Sequence, residues 1–451
     1  MKPKRNALIA VTFLVLLAGL VIGEKILENR ATVAEAAGVQ APMFEVDPFW
    51  PKPLPNHWIL GNTIGVSADA QDHIWIIHRQ GSLEAMELYG VANAPPGANK
   101  RRNGVVESEC CAPAPAVLEF DQAGNLLHHW GGTDGEGYIW PDSNHGITVD
   151  YKGNVWIGGN GVGTAPGAAG AGRGAGRGSG SAARGGGGGG GTTAPEGQSG
   201  PVIGYTHDSM IMKFTQDGKF LMQIGKVGAS KGSNDIENLR RPAKIFVDKD
   251  ANEVYVADGY GNHRVIVYDA DTGKYKRHWG AYGNKPDDTN LGPYNPDAPP
   301  AMQFRNPVHC AELSKDGLVY VCDRVNDRIQ VFKKDGTFVK EVFIAKKTLG
   351  DGSVWDIAFS KDPQQKFIYL ADGANEKIYI LLRDTLEILT SFGDGGRQPG
   401  LFYAVHSIAT DSKGNIYTTE TYRGQRVQKF VYKGIQTVAK PDRESTWPKG
   451  K

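Results

Sequence analysis

The chain has almost no net charge: 50 Lys and Arg stand against 49 Asp and Glu, leaving +1 over 451 residues. No global basic field exists to draw a polyphosphate, so nucleic acid is not an expected partner. Cysteine is also scarce. The four present are Cys110, Cys111, Cys310 and Cys322, and the adjacent Cys110 and Cys111 match no CxxC metal or redox spacing. Helical periodicity is missing after the N-terminus, and only one long apolar run occurs. That run, Ala7 to Gly23, follows Lys2, Lys4 and Arg5, the pattern of a secretory signal or signal anchor within residues 1–36. At about 17 residues it lies at the lower edge of what spans a bilayer. Ala34-Glu35-Ala36 offers a distant small-x-small cleavage site. The mature protein is therefore expected outside the cytoplasm, periplasmic or extracellular, with residues 7–23 as its membrane anchor if the segment is retained.

What is present is repetition. Segments such as NHGITVDYKGNVWIGGN, VHCAELSKDGLVYVCDRVNDRIQVF and VHSIATDSKGNIYTTETYRGQRVQKF share one grammar: a short apolar strand, a polar turn, a second strand and usually a third. Six such units occur, several closed by a DGxxhxxhG-type stretch, as in DGKFLMQIG. Strands this short, with turn signals between them, predict an all-β six-bladed β-propeller of four-stranded blades. The chain divides into a signal or anchor segment at 1–36, a lead-in at 37–60, the propeller at 61–438 and a tail at 439–451. SKDG at 314–317 reads as a hairpin turn that sets Cys310 opposite Cys322. Export permits a disulfide there; the alternative is two small buried apolar residues.

Residues 161–201 are almost entirely Gly, Ala, Ser and Arg and cannot bury a core. They interrupt blade 2 and are expected to be disordered. One reading is a solvated insertion; the other is a flexible cover whose Arg173, Arg177 and Arg184 attract anions. Deleting the segment is expected to leave the thermal unfolding midpoint nearly unchanged, and a large loss of stability would show that it packs.

Alignment of the six units on the turn after their first strand gives a column reading Ile64, His145, Ala243, His309, Trp355 and His406. Histidine therefore recurs in blades 2, 4 and 6, roughly 120° apart around the channel that first strands line. Three converging imidazoles with open positions opposite form the protein half of a catalytic Zn site, although imidazole suits Cu, Fe and Ni as well. A second column, just after each second strand at the same end of the disc, contains Arg79, Tyr260 and Arg324. Loops at a channel mouth are where polar catalytic groups collect.

With those residues placed, the chain resembles the peptidyl-α-hydroxyglycine α-amidating lyase family, whose core is a propeller of NHL-type repeats. The resemblance runs from about residue 60 to 434 without the Gly-rich insertion. It is sharpest in HGITVDYKGNVWI, DGYGNHRV, HCAELS to DRVNDRIQVF, and HSIATD. It implies that His145, His309 and His406 hold Zn²⁺, that Tyr260 is the catalytic tyrosine, and that Arg324 and Arg79 are the active-site arginines. It further implies a small-molecule or peptide substrate with a carboxylate, whose C–N bond is cleaved to an amide and glyoxylate. Two positions depart from the family. Gly261 replaces a half-cystine beside the tyrosine, and Ser407 replaces an acidic calcium ligand, so a structural Ca²⁺ is doubtful. The chain is also too short to hold a monooxygenase domain beside the propeller, which leaves room for a different hydroxylated substrate. The competing readings are a non-catalytic NHL-type propeller that binds protein or glycan, and a propeller lactonase or esterase. The latter would use carboxylate and Asn ligands rather than three histidines.

Overall fold

The computed structural model describes residues 38–88, 109–163 and 206–438. The signal or anchor segment, the C-terminal tail, and all of the Gly-rich insertion but Gly161, Val162 and Gly163 lie outside the described residues. The described residues form six four-stranded antiparallel sheets and one short parallel pair, Trp58–Ile59 with Ala112–Pro113. The first strands of the six sheets touch one another in an unbroken ring, so the sheets are the blades of a closed six-bladed propeller with those strands innermost. In chain order the innermost strands are Asn62–Ala68, Asn144–Val149, Ile245–Asp248, Val308–Leu313, Asp356–Phe359 and Val405–Thr410.

Blades are buried on both faces, which explains why second strands such as Glu253–Asp258 and Phe367–Asp372 are buried at every residue. Six apolar clusters form the core, one between each pair of neighbouring blades. Polar locks recur at both ends of the strands. At one end a turn aspartate accepts from an aromatic of the next strand: Trp75 Nε1 to Asp69 at 2.9 Å, Trp156 Nε1 to Asp150 at 2.9 Å, Tyr417 Oη to Asp411 at 3.1 Å. At the other an arginine donates Nε to the acid ending the second strand: Arg264 to Asp258 at 2.9 Å and Arg328 to Asp323 at 2.7 Å.

Ring closure involves the lead-in. Val39–Asp47 pairs antiparallel with Arg426–Val438 and becomes the outermost strand of the last blade, so residues from the two ends of the described chain share one sheet. Cys310 lies opposite Cys322 in the blade 4 hairpin and the two are disulfide-bonded. Cys110 and Cys111 are bonded to each other, a pairing that no spacing rule anticipates.

One buried group predicts a pH response. His78, fully buried in blade 1, accepts the Gly61 N–H on Nδ1 at 3.1 Å and donates from Nε2 to Pro115 O at 2.9 Å, which fixes its neutral form. Desolvation lowers its pKa from 6.5 to about 4, the backbone bonds offsetting only part of that. Because the folded value lies below the unfolded one, the stabilisation is complete above pH 6.5 and lost as pH falls toward 4. At about 1.4 kcal/mol per unit this amounts to roughly 3 kcal/mol. Urea unfolding of wild type and His78→Gln at pH 7 and pH 4 checks it. Glutamine can make both bonds, so the variant is expected to lose about one proton's share of the slope.

Candidate metal centre

Each axial histidine sits at an irregularity of its strand. The pairing register shifts between His145 and Ile147, between Val308 and Cys310 around His309, and between Val405 and Ser407 around His406. Such bulges re-aim a side chain, and here they turn all three imidazoles toward the axis. The ring centroids form a nearly equilateral triangle: 5.2 Å from His145 to His309, and 4.8 Å from His406 to each of the others.

The orientation of the rings is fixed from outside the triangle. Nδ1 of His145 bonds Ala243 O at 2.9 Å, Nδ1 of His406 bonds Ile64 O at 2.8 Å, and Nδ1 of His309 bonds Trp355 O. Ala243, Trp355 and Ile64 are the residues of the same repeat column in the next blade round. A carbonyl only accepts, so Nδ1 carries the proton and each Nε2 presents its lone pair inward. One ligand atom from each histidine lies within 4.8 Å of the others, and all three residues are buried. Their pKa values are all lowered well below 6.5, first by desolvation. For His145 the Arg79 charge comes next, for His309 that of His406, and for His406 that of His145. Neutral, pre-oriented imidazoles with inward lone pairs are what a metal of the Zn class requires, so the residues fit such an ion.

The phenol of Tyr260 faces this centre. Its Oη lies 3.1 Å from Nε2 of His145 and 3.1 Å from Nε2 of His309, and accepts from Arg324 Nη1 at 3.2 Å. Arg324 is fully buried, with its guanidinium 4.5 Å over the Trp355 ring. Asp351 Oδ1 lies 3.7 Å from its Nη2. Arg79 is directed from another side, donating Nε to Asn144 O at 3.2 Å and Nη2 to Asn160 Oδ1 at 2.8 Å. All six residues singled out in the sequence thus gather at one end of the channel.

Two neighbours were not singled out. Arg241 places its guanidinium 5.6 Å over the Tyr260 ring and donates Nε to Asn160 O at 2.6 Å. It lies two positions before Ala243 in the histidine column, but no repeat partner carries an arginine there. Trp355 stood in the column itself and now forms the wall under Arg324. One residue past Ala243, Lys244 Nζ bonds Asp356 Oδ1, one residue past Trp355, at 2.7 Å and Glu312 Oε1, three residues past His309, at 2.9 Å. Asp356 Oδ2 also accepts from Ser407 Oγ at 2.6 Å. In the layer where the family resemblance would look for calcium, the acidic groups are thus already paired with an internal ammonium.

Comparison with known proteins places this site in context. The NHL repeat model matches residues 239–268, the stretch from the end of the blade 2–3 connection past Tyr260 into the third strand of blade 3. The chain is 32% identical over 219 residues to the peptidyl-glycine alpha-amidating monooxygenase B of Xenopus laevis, covering 45% of this chain and 23% of that protein. It is 22% identical over 409 residues to the peptidyl-alpha-hydroxyglycine alpha-amidating lyase 1 of Drosophila melanogaster, covering 87% of this chain and 60% of that protein. It is also 24% identical over 335 residues to NHL repeat-containing protein 3 of Mus musculus, covering 70% and 73%. The chain spans less than two thirds of the length of either amidating relative.

Proposed function

We propose that the protein is a metal-dependent lyase that cleaves the C–N bond of an α-hydroxyglycine-type substrate, giving an amide and glyoxylate. The observation that carries this reading is the Tyr260 phenol, within hydrogen-bond reach of two axial imidazoles and of the buried Arg324. A similarity that spans 87% of the chain to a protein named as an α-amidating lyase supports it.

When bound to His145, His309 and His406, a zinc ion would supply positive charge for the oxygen on which negative charge develops. Tyr260, acting as a phenolate beside the Arg324 guanidinium, would take the proton of the substrate α-hydroxyl. As that O–H bond breaks, its electron pair becomes the second C–O bond of glyoxylate, the C–N bond breaks, and the departing nitrogen receives the proton that Tyr260 took, becoming the amide and restoring the phenolate. Arg324 and Arg79 would hold the substrate carboxylate, for which a guanidinium offers two parallel donors. Stacking on Trp355 holds Arg324 in place, and Asn144 and Asn160 hold Arg79. This arrangement favours a peptide or small molecule ending in a carboxylate. With its N-terminal segment, it fits an enzyme working outside the cytoplasm.

Mass analysis of the products tests the proposal. A peptide capped with α-hydroxyglycine is expected to yield the peptide amide and glyoxylate in equal amounts. Release of a peptide acid would indicate hydrolysis and contradict it. The second reading, a binding propeller without catalysis, draws on the similarity to a protein named only for its NHL repeats, and it expects neither product.

A further inference from the structure

Blade 1 departs from its own repeat at three positions whose side chains meet at one carboxylate. The residue paired across from the second-strand aromatic is Lys213 in blade 2, Val267 in blade 3, Val331 in blade 4, Ile380 in blade 5 and Lys429 in blade 6. In blade 1 it is Glu119, opposite Trp75. The turn position filled by Asn154 and Asn415, whose amides bond the turn aspartates Asp150 and Asp411, is filled in blade 1 by His73. The outer-strand residue facing Glu119 is His128, where blades 2, 3 and 4 carry Met222, Arg277 and Lys340.

These substitutions build a carboxylate between two imidazoles. Glu119 is 2% exposed, with Oε1 2.6 Å from His73 Nδ1 and Oε2 2.5 Å from His128 Nδ1. Asp69 Oδ2 lies 3.9 Å from His73 Nδ1. Asp69 holds its own turn through Oδ1, and Oδ2 takes the Trp75 indole N–H, which leaves lone-pair capacity on Oδ2. Among the described residues no lysine or arginine forms an ion pair with Glu119. A buried carboxylate needs a compensating charge, and the two imidazole side chains are 34% and 66% exposed, so the group opens to solution on one side.

We propose that His73, Glu119, His128 and Asp69 form a second metal site, for a divalent ion of the zinc or copper type. The site lies at the far end of the blade 1 strands from Arg79. Two imidazoles with carboxylates suit these ions, whereas calcium and magnesium take oxygen donors alone. Ligand atoms of Asp69, His73 and Glu119 already lie within 4.8 Å of one another, while His128 bonds the other Glu119 oxygen and must swing in as the fourth ligand. Tetrahedral bonds of about 2.0–2.1 Å put ligand atoms about 3.3 Å apart, so the nitrogen–oxygen contacts must also open by roughly 0.7 Å. His73 and His128 are exposed enough to make that movement. The ion would fasten the outer strand, Leu126–Trp130, to the turn that begins the second strand.

Equilibrium dialysis of the chelator-stripped full chain against Zn²⁺ tests this, with wild type, Glu119→Gln, His128→Ala and His309→Ala in parallel. Glu119→Gln is expected to bind one equivalent fewer than wild type, and His128→Ala to bind that equivalent at least about tenfold more weakly. The reading stands apart from the axial centre, because it compares each variant with wild type whether or not that centre fills. His128 is an exposed outer-strand residue, so its variant serves if Glu119→Gln does not fold. Unchanged zinc stoichiometry and affinity in both variants overturn the proposal.

Discussion

Replacing Tyr260 by phenylalanine is expected to lower turnover by about 10²–10⁴-fold while leaving the metal in place, which is the range for loss of a positioned proton acceptor. The reason is local. The hydroxyl sits 3.1 Å from two axial imidazole nitrogens and 3.2 Å from Arg324 Nη1. The ring packs in the apolar cluster between blades 3 and 4, so phenylalanine keeps the packing and loses only the oxygen. If the hydroxyl acts in the transition state alone, kcat and kcat/KM fall together and KM barely moves. The folding cost is limited to one hydrogen-bonded network, about 0.5–1.5 kcal/mol. Steady-state glyoxylate release with metal analysis on the same samples separates the cases. A variant that keeps wild-type turnover removes Tyr260 from the chemistry.

Metal removal is expected to have the second large effect. Stripping the protein with a chelator should reduce turnover to background, and Zn²⁺ should restore it in wild type but not in His309→Ala. Stability should follow: an ion at about 1,000 times its Kd adds about 4 kcal/mol, so the midpoint of the stripped protein should drop by several degrees. Acid should bring about the same loss. The three axial histidines have folded pKa values well below 6.5, so protons compete poorly with metal at neutral pH and gain ground only once pH has fallen well below 6.5. Thermal unfolding of metal-free and reloaded protein, at pH 7 and pH 5, checks both points.

Much of the site was legible because the fold repeats. Aligning six turns puts His145, His309 and His406 in one column with Ile64, Ala243 and Trp355 between them, and the propeller converts that column into a ring. The same column supplies the carbonyls that orient the imidazoles, a relation invisible in the sequence because a carbonyl has no side-chain identity. Arg241 could not be found by register, since its neighbours in the other blades carry no arginine. Its backbone there is left-handed, with φ 56°. Ring closure by Val39–Asp47 was equally hidden. The strand pairs with residues nearly 400 positions away, and a lone apolar stretch ahead of the first unit carries no local sign of its partner.

The most direct test of the account is a titration of chelator-stripped protein with Zn²⁺, following glyoxylate release from a peptide capped with α-hydroxyglycine. The expected result is activity that rises in proportion to the metal held by His145, His309 and His406, saturates when that site is full, and stays at background throughout in His309→Ala. Zinc bound firmly by the three histidines, with no glyoxylate above the enzyme-free rate, would contradict it.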